Sequence, residues 1–150
     1  MELDEIDKQV VDALVEDGRA TDRDIAAATG IVANRVSERR DSLEESGLIE
    51  GYTPLLDYDR LGYDVTAVFQ LAVEGDGLDE VITKLGSLGG ITTVYEVTGD
   101  HDIVAVGKFT DTASMDERIK DLLTDDNVRS VSTSVVLNVV QEDAPLTLQG

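Results

Sequence analysis

The chain has 150 residues, with 32 acids against 12 bases for a formal charge of −20, and it is 41% hydrophobic but only 4% aromatic. The absence of cysteine excludes disulfides, thiolate-bound zinc, iron–sulfur clusters and thiol catalysis. No run of about twenty apolar residues offers a membrane span, and the acidic opening Met1-Glu2-Leu3-Asp4-Glu5 lacks the basic and apolar regions of a signal peptide, so a soluble cytoplasmic protein is expected.

Leu3, Ile6, Val10, Val11, Leu14 and Val15 recur at helical spacing and predict an amphipathic helix over 3–16. It should end at Asp17-Gly18, with the glycine in the left-handed cap. Thr21 with Asp24 three residues on is a near capping box for a second helix that carries Ile25 to Ala28 and stops at Thr29-Gly30. A third helix runs from about Val32 to Ser46, with Val36 and Leu43 on one face and Gly47 closing it. Leu48 to Leu55 reads as a short extended or wing-like connection, and Leu56 to Tyr63 as turns.

Val65–Val73 is a β-rich strand, broken by Gly75-Asp76-Gly77 and followed by a helix through Leu78, Val81, Ile82, Leu85 and Leu88. Ile91–Thr98 and Asp102–Phe109 are strands joined by the Gly99-Asp100-His101 turn, a hairpin. Thr112–Asp125 is a helix with Met115, Ile119, Leu122 and Leu123 inward, Val128–Val140 is a long last strand, and 141–150 is a polar tail.

The fold class is therefore α+β, with an N-terminal helix-turn-helix (winged-helix-like) domain and a C-terminal ferredoxin-like βαββαβ domain. The right-handed crossover rule closes the second half as a four-stranded antiparallel sheet with both helices on one face. Apolar residues occupy both sides of the last strand near its end, Leu137 and Val139 against Val136 and Val140, so a second chain is expected to cover the other face.

A helix-turn-helix needs a small residue in its turn, here Gly30, and a third helix whose outer face can enter a major groove. Asn34, Arg35, Ser37, Glu38 and Arg39 populate the early outer turns of that helix. Arg binds guanine O6 and N7 in bidentate fashion, and Asn does the same for adenine. Arg19 and Arg23 are placed to hold phosphates, and Arg40 either snorkels toward one or marks a third helix that is packed differently. A plain three-helix cap would not explain why six of the 12 bases lie in residues 1–50. The same stretch holds 14 acids, so DNA must be met by a local basic strip on a negative body.

The whole-chain charge has its own implication. Twenty of the acids are Asp, and the lysines are only four, Lys8, Lys84, Lys108 and Lys120. Self-repulsion on this scale destabilises a compact state unless salt screens it, which points to a halophilic source. An acidic partner-binding protein or DNA mimic would gather its acids into a block, whereas these are spread along the chain.

Leu3-Asp4-Glu5-Ile6-Asp7, Leu14 with Glu16-Asp17-Gly18-Arg19, Ile25-Ala26 with Gly30, Arg39 with Leu43-Glu44-Glu45-Ser46-Gly47-Leu48-Ile49, and Gly51-Tyr52 together resemble the Lrp/AsnC (feast/famine) transcription regulators, here of haloarchaeal type. Val97-Thr98-Gly99-Asp100-His101-Asp102 resembles that family's second half, and the likeness covers about 2–140. Two departures stand out: Val32 replaces the usual Ser cap of the third helix, and Arg40 replaces a β-branched core residue.

The resemblance implies a sequence-specific regulator of double-stranded DNA. It implies a homodimer through the βαββαβ domains, often assembled further, and a small effector, usually an amino acid, bound where dimers meet near Gly99–Asp102. Residues 1–50 then form the DNA-binding domain, 51–63 a linker strand, and 64–140 the effector-binding and oligomerisation domain. Asp100 or Asp102 would accept from an ammonium group, amides near Gly99 would donate to a carboxylate, and His101, Thr133 and Ser134 would complete the lining. The bland reading of the same turn is a hairpin that favours Gly and Asp.

No cofactor is implied. One histidine beside two adjacent carboxylates lacks convergent metal geometry, and no Ser-His-Asp, Cys-His or phosphate-loop arrangement marks an enzyme. Two alternatives are a metabolite-binding assembly module with lost DNA binding and a sirohaem-decarboxylase-like enzyme. The second half, poor in histidine and bases, lacks the complementarity a polycarboxylate tetrapyrrole would need.

Overall fold

A computed structural model describes residues 2–149, in two compact units: residues 2–56 together with 141–149, and residues 57–140.

The first unit is built on three helices, α1 (Glu5–Glu16), α2 (Asp22–Thr29) and α3 (Ala33–Glu45). Two of the three start on reciprocal side-chain caps. At α1 the Asp4 carboxylate accepts from the Asp7 amide at 2.8 Å while Asp7 accepts from the Asp4 amide at 3.1 Å. Thr21 and Asp24 do the same at α2. Val32 begins α3 with no side-chain cap. Periodic apolar residues meet in one core of Val10, Val11, Leu14, Ile25, Val36 and Leu43.

Gly30 ends α2 in the left-handed conformation at φ 79°. Gly18 does not do this for α1. That helix ends with Asp17 extended at φ −144°, and the Asp17 carboxylate accepts from the Arg19 amide at 2.9 Å. The Asp side chain turns the chain, so no left-handed residue is needed. Residues 51–63, expected to form a linker strand, form neither helix nor strand and turn at 58–62 instead. From the tail, the amides of Leu148 and Gln149 donate to the two oxygens of Asp12 on α1 at 2.7 and 3.0 Å, and Leu148 joins the helical core.

The second unit runs β1 (Val65–Val73), α4 (Leu78–Ser87), β2 (Ile91–Glu96), β3 (Ile103–Phe109), α5 (Thr112–Leu123) and β4 (Val128–Val135). The sheet order is β2-β3-β1-β4, antiparallel throughout. Period-two alternation puts Ala67, Phe69, Leu71 and Val73 of β1 on one face, packed against Val81 and Leu85 of α4 and Met115 and Leu122 of α5. Phe69 and Phe109 meet edge to face there, with centroids 6.0 Å apart. The opposite face carries Val68, Val104, Val106, Tyr95 and Lys108. Lys108 is buried, donates to Thr66 Oγ1 at 3.2 Å and lies 4.7 Å over the Tyr58 ring.

Two further sequence expectations are corrected. The last strand ends at Val135 rather than Val140. Val135 pairs with Ala67 and the Val136 amide still donates to the Thr66 carbonyl; in this register β1, which starts at Val65, has no residue left to pair with 138–140. Leu137, past the end of the strand, is 99% exposed. Leu123, expected inward, is 53% exposed, because the face of α5 that meets the sheet is set by Met115 and Leu122.

Candidate nucleic-acid interface and effector turn

Burial of Val36 and Leu43 fixes which side of α3 faces outward. Asn34, Arg35 and Glu38 are exposed on that side, at i, i+1 and i+4, and Ser37 is half-buried at its margin. Arg35 forms no ion pair among the described residues. Arg23, on the first turn of α2, and Arg19 just before that helix are also exposed.

Arg39 is turned elsewhere. Its Nη1 donates to Asp4 and, at 3.1 Å, to Asp7, the two carboxylates of the α1 capping box. The Arg39 hydrogen bond, with the Asp7 amide adding to it, holds the Asp4 carboxyl down to about 2. The hydrogen bonds that Arg39 donates to Asp4 and Asp7 in turn raise its own pKa. Arg40 also points into the unit. Its Nη1 donates to the Ala20 carbonyl at 3.0 Å, it stands 3.5 Å from both Asp22 and Glu44, and its guanidinium lies 5.4 Å over the Tyr52 ring. Burial works against the Arg40 charge, yet its contacts with Tyr52, Asp22 and Glu44 outweigh that and raise its pKa. Burial likewise raises the Tyr52 pKa, helped by the hydrogen bond its hydroxyl donates to Glu44 at 2.7 Å.

Of the eight residues expected to meet DNA, the structure therefore brings five to exposed surface, Arg19, Arg23, Asn34, Arg35 and Glu38, and ties Arg39 and Arg40 within the unit. The Asp4-x-x-Asp7 spacing was a readable capping signal. Nothing local in the sequence pairs Arg39 with it or brings Tyr52 to Arg40.

At the β2–β3 turn, Gly99 has φ 115° and is exposed together with Asp100, while His101 is half-buried. Asp102 has a structural task. Its amide donates to the Leu71 carbonyl, its carbonyl accepts from Val97, and its carboxylate accepts from the Val73 amide, each at 2.8 Å. The carboxylate thus continues the β1 ladder beyond its pairing with Ile103, the first β3 residue. Thr133 pairs with Phe69 and Ser134 with Val68, so the two face opposite sides of the sheet. Within the chain, β1 lies between them and the turn. Among the described residues no cluster of three His, Cys, Asp or Glu is arranged to hold a metal ion, and no helix is long and apolar enough to cross a membrane.

The family model described as the Lrp/AsnC ligand binding domain matches residues 66–146. The chain belongs to the Lrp/AsnC family. The winged helix-turn-helix DNA-binding model matches residues 3–50, so this Lrp/AsnC chain joins a DNA-binding domain to the family's ligand-binding domain and is a DNA-binding transcription regulator. It is 36% identical over 141 residues to an uncharacterized HTH-type transcriptional regulator of Pyrococcus abyssi, covering 94% of this chain and 96% of that one. It is 31% identical over 147 residues to the HTH-type transcriptional regulator FL11 of Pyrococcus furiosus, covering 98% and 97%. Its fold is that of a Neisseria meningitidis transcriptional regulator solved as an L-Met complex, with a TM-score of 0.93 at 21% identity over 99% of this chain and 98% of that one. AsnC of E. coli superposes with a TM-score of 0.85 at 22% identity over 95% and 97%.

Proposed function

We propose that this Lrp/AsnC regulator reads DNA with Asn34, Arg35 and Glu38 on the outward face of α3, while Arg19 and Arg23 hold phosphates. The observation that carries this reading is the division of α3 by burial, which leaves an amide, a guanidinium and a carboxylate side by side and unburied. These are the groups that pair with adenine, guanine and cytosine edges. Arg39 and Arg40 support the reader from behind by fixing α3 to α1 and to the Tyr52 segment.

The protein acts as a homo-oligomer in the cytoplasm of a halophile. The helix-free sheet face with Val68, Val104, Val106 and Tyr95 is the surface a second copy would cover, and the −20 charge suits concentrated salt. The effector is an amino acid held by the exposed Gly99–Asp100 turn, with Asp102 shaping the turn from within and Thr133 or Ser134 contributed from another chain. The L-Met complex of the structurally similar Neisseria regulator supports an amino acid. The names of the relatives, transcriptional regulators, support a protein without catalytic activity.

The test is gel retardation of the DNA upstream of its own coding region in about 2–3 M KCl, where the carboxylates are screened. A discrete retarded band that outlasts competitor DNA is expected, and no band from folded protein would reject the reading. Native mass with and without a panel of amino acids tests the effector, which should alter the assembly or its DNA affinity.

A further inference from the structure

Val32, just before α3, has no part in the contacts assigned so far. It stands at the N-cap of α3 with φ −65° and ψ 144°, makes no side-chain cap bond, and is 70% exposed. Asp4 and Thr21, at the same position on α1 and α2, are polar and both close capping boxes. The chain thus forgoes a cap at the one helix whose start faces the proposed groove, and places there a residue type that caps poorly. Packing does not explain the choice, since Ile31 is the neighbour that joins the helical core. Val32 is exposed, as are Asn34 and Arg35 two and three residues on.

In a helix-turn-helix the N-terminal residues of the reading helix meet base edges. Of the major-groove patterns, that of A·T pairs alone offers a methyl, on thymine, and an apolar side chain recognises it. Serine at the same place would pair with several bases, whereas valine has nothing to offer a donor or acceptor. Its two methyls are also held by a stiff χ1, which fixes where they point. The contact owes nothing to charge, so it persists in salt that screens phosphate contacts. That matters for a domain with 14 acids and six bases in residues 1–50.

We propose that Val32 is a specificity residue that reads the C5-methyl group of a thymine in the major groove. The inference rests on the reading that the outward face of α3 enters that groove, and the experiment separates the two.

The full chain is used to enrich duplexes from a random pool in about 2–3 M KCl. Each thymine of the enriched site is then replaced singly by uracil, which removes only the methyl, and affinity is measured for wild type and Val32→Ser. Serine can cap α3, so the variant is expected to stay folded, which its thermal melt checks. One methyl contact corresponds to about fourfold in Kd. Wild type should lose about that factor at one thymine position, and Val32→Ser should bind the thymine and uracil duplexes equally there. Equal thymine-to-uracil ratios for the two proteins at every position would overturn the proposal while leaving the DNA reading intact. Failure of the folded wild type to enrich any sequence would overturn the DNA reading and this proposal with it.

Discussion

Replacing Arg39 by alanine should damage the fold before it damages recognition. Asp7 is only 5% exposed, and its Oδ1 accepts from Arg39 at 3.1 Å while its Oδ2 accepts from the Asp4 amide at 3.1 Å. Without Arg39 one oxygen of a buried carboxylate loses both its donor and its counter-charge. Breaking a fully buried pair costs about 3–5 kcal/mol. Here the Arg39 side chain is 25% exposed and water can reach part of the site, so a cost of about 2 kcal/mol is expected, within the range for an unpaired buried polar group. For a unit of this size that is a drop in Tm of about 8–16 °C. The pair is partly sheltered, so concentrated salt should reduce the effect without erasing it. Thermal unfolding followed by far-UV circular dichroism in about 2–3 M KCl measures it, with Arg35→Ala as the companion. If Arg39→Ala melts within about 2 °C of wild type yet binds DNA more weakly, Arg39 is a base or phosphate contact and the structural role is refuted.

Arg35→Ala should leave the melt unchanged and weaken specific binding about tenfold or more, the worth of a bidentate base contact; wild-type affinity would remove Arg35 from the reader. On acidification, the Asp4 carboxyl is held at about 2 by Arg39, and Asp24, Asp111 and Asp125 lie below the ordinary value chiefly through backbone amide donors. Depressed folded-state values mean that this stability is complete above the ordinary carboxyl pKa of 3.8 and is lost as pH falls toward about 2. Denaturant midpoints taken from about pH 5 down to about pH 2.5 should fall most steeply below about pH 4, and a flat profile would contradict the assignment. Asp102→Ala should cost about 1–3 kcal/mol by orphaning the Val73 amide, seen as faster hydrogen exchange at Val73; Asp102→Asn, which keeps an acceptor oxygen, should exchange nearly as wild type.

The sequence made the helices and the inner strands readable because their causes are local. Caps at Thr21 and Asp24, the left-handed Gly30 and the alternation through Val65–Val73 depend on neighbours a few residues away. Features that depend on distant partners stayed hidden. How far β4 can pair depends on β1, a strand far earlier in the chain, where Ala67 is the partner of Val135 and Val65 is the first residue. The roles of Arg39 and Arg40 depend on Asp4, Asp7, Ala20 and Tyr52, so three arginines on one helix looked alike until the fold divided them. The Gly99–Asp102 turn was visible as a turn, but the capture of the Val73 amide by Asp102 required β1 to lie beside it.

Protection of guanine N7 from dimethyl sulfate tests most directly the claim that the outward face of α3 reads the major groove, where N7 is presented. On a retarded DNA fragment in concentrated KCl, wild type should protect discrete guanines, with half-sites spaced by about 10–10.5 base pairs or a multiple of that. Arg35→Ala should lose protection at one guanine of each half-site while keeping the rest. An unprotected fragment, or a pattern that Arg35→Ala leaves unchanged, would contradict the account.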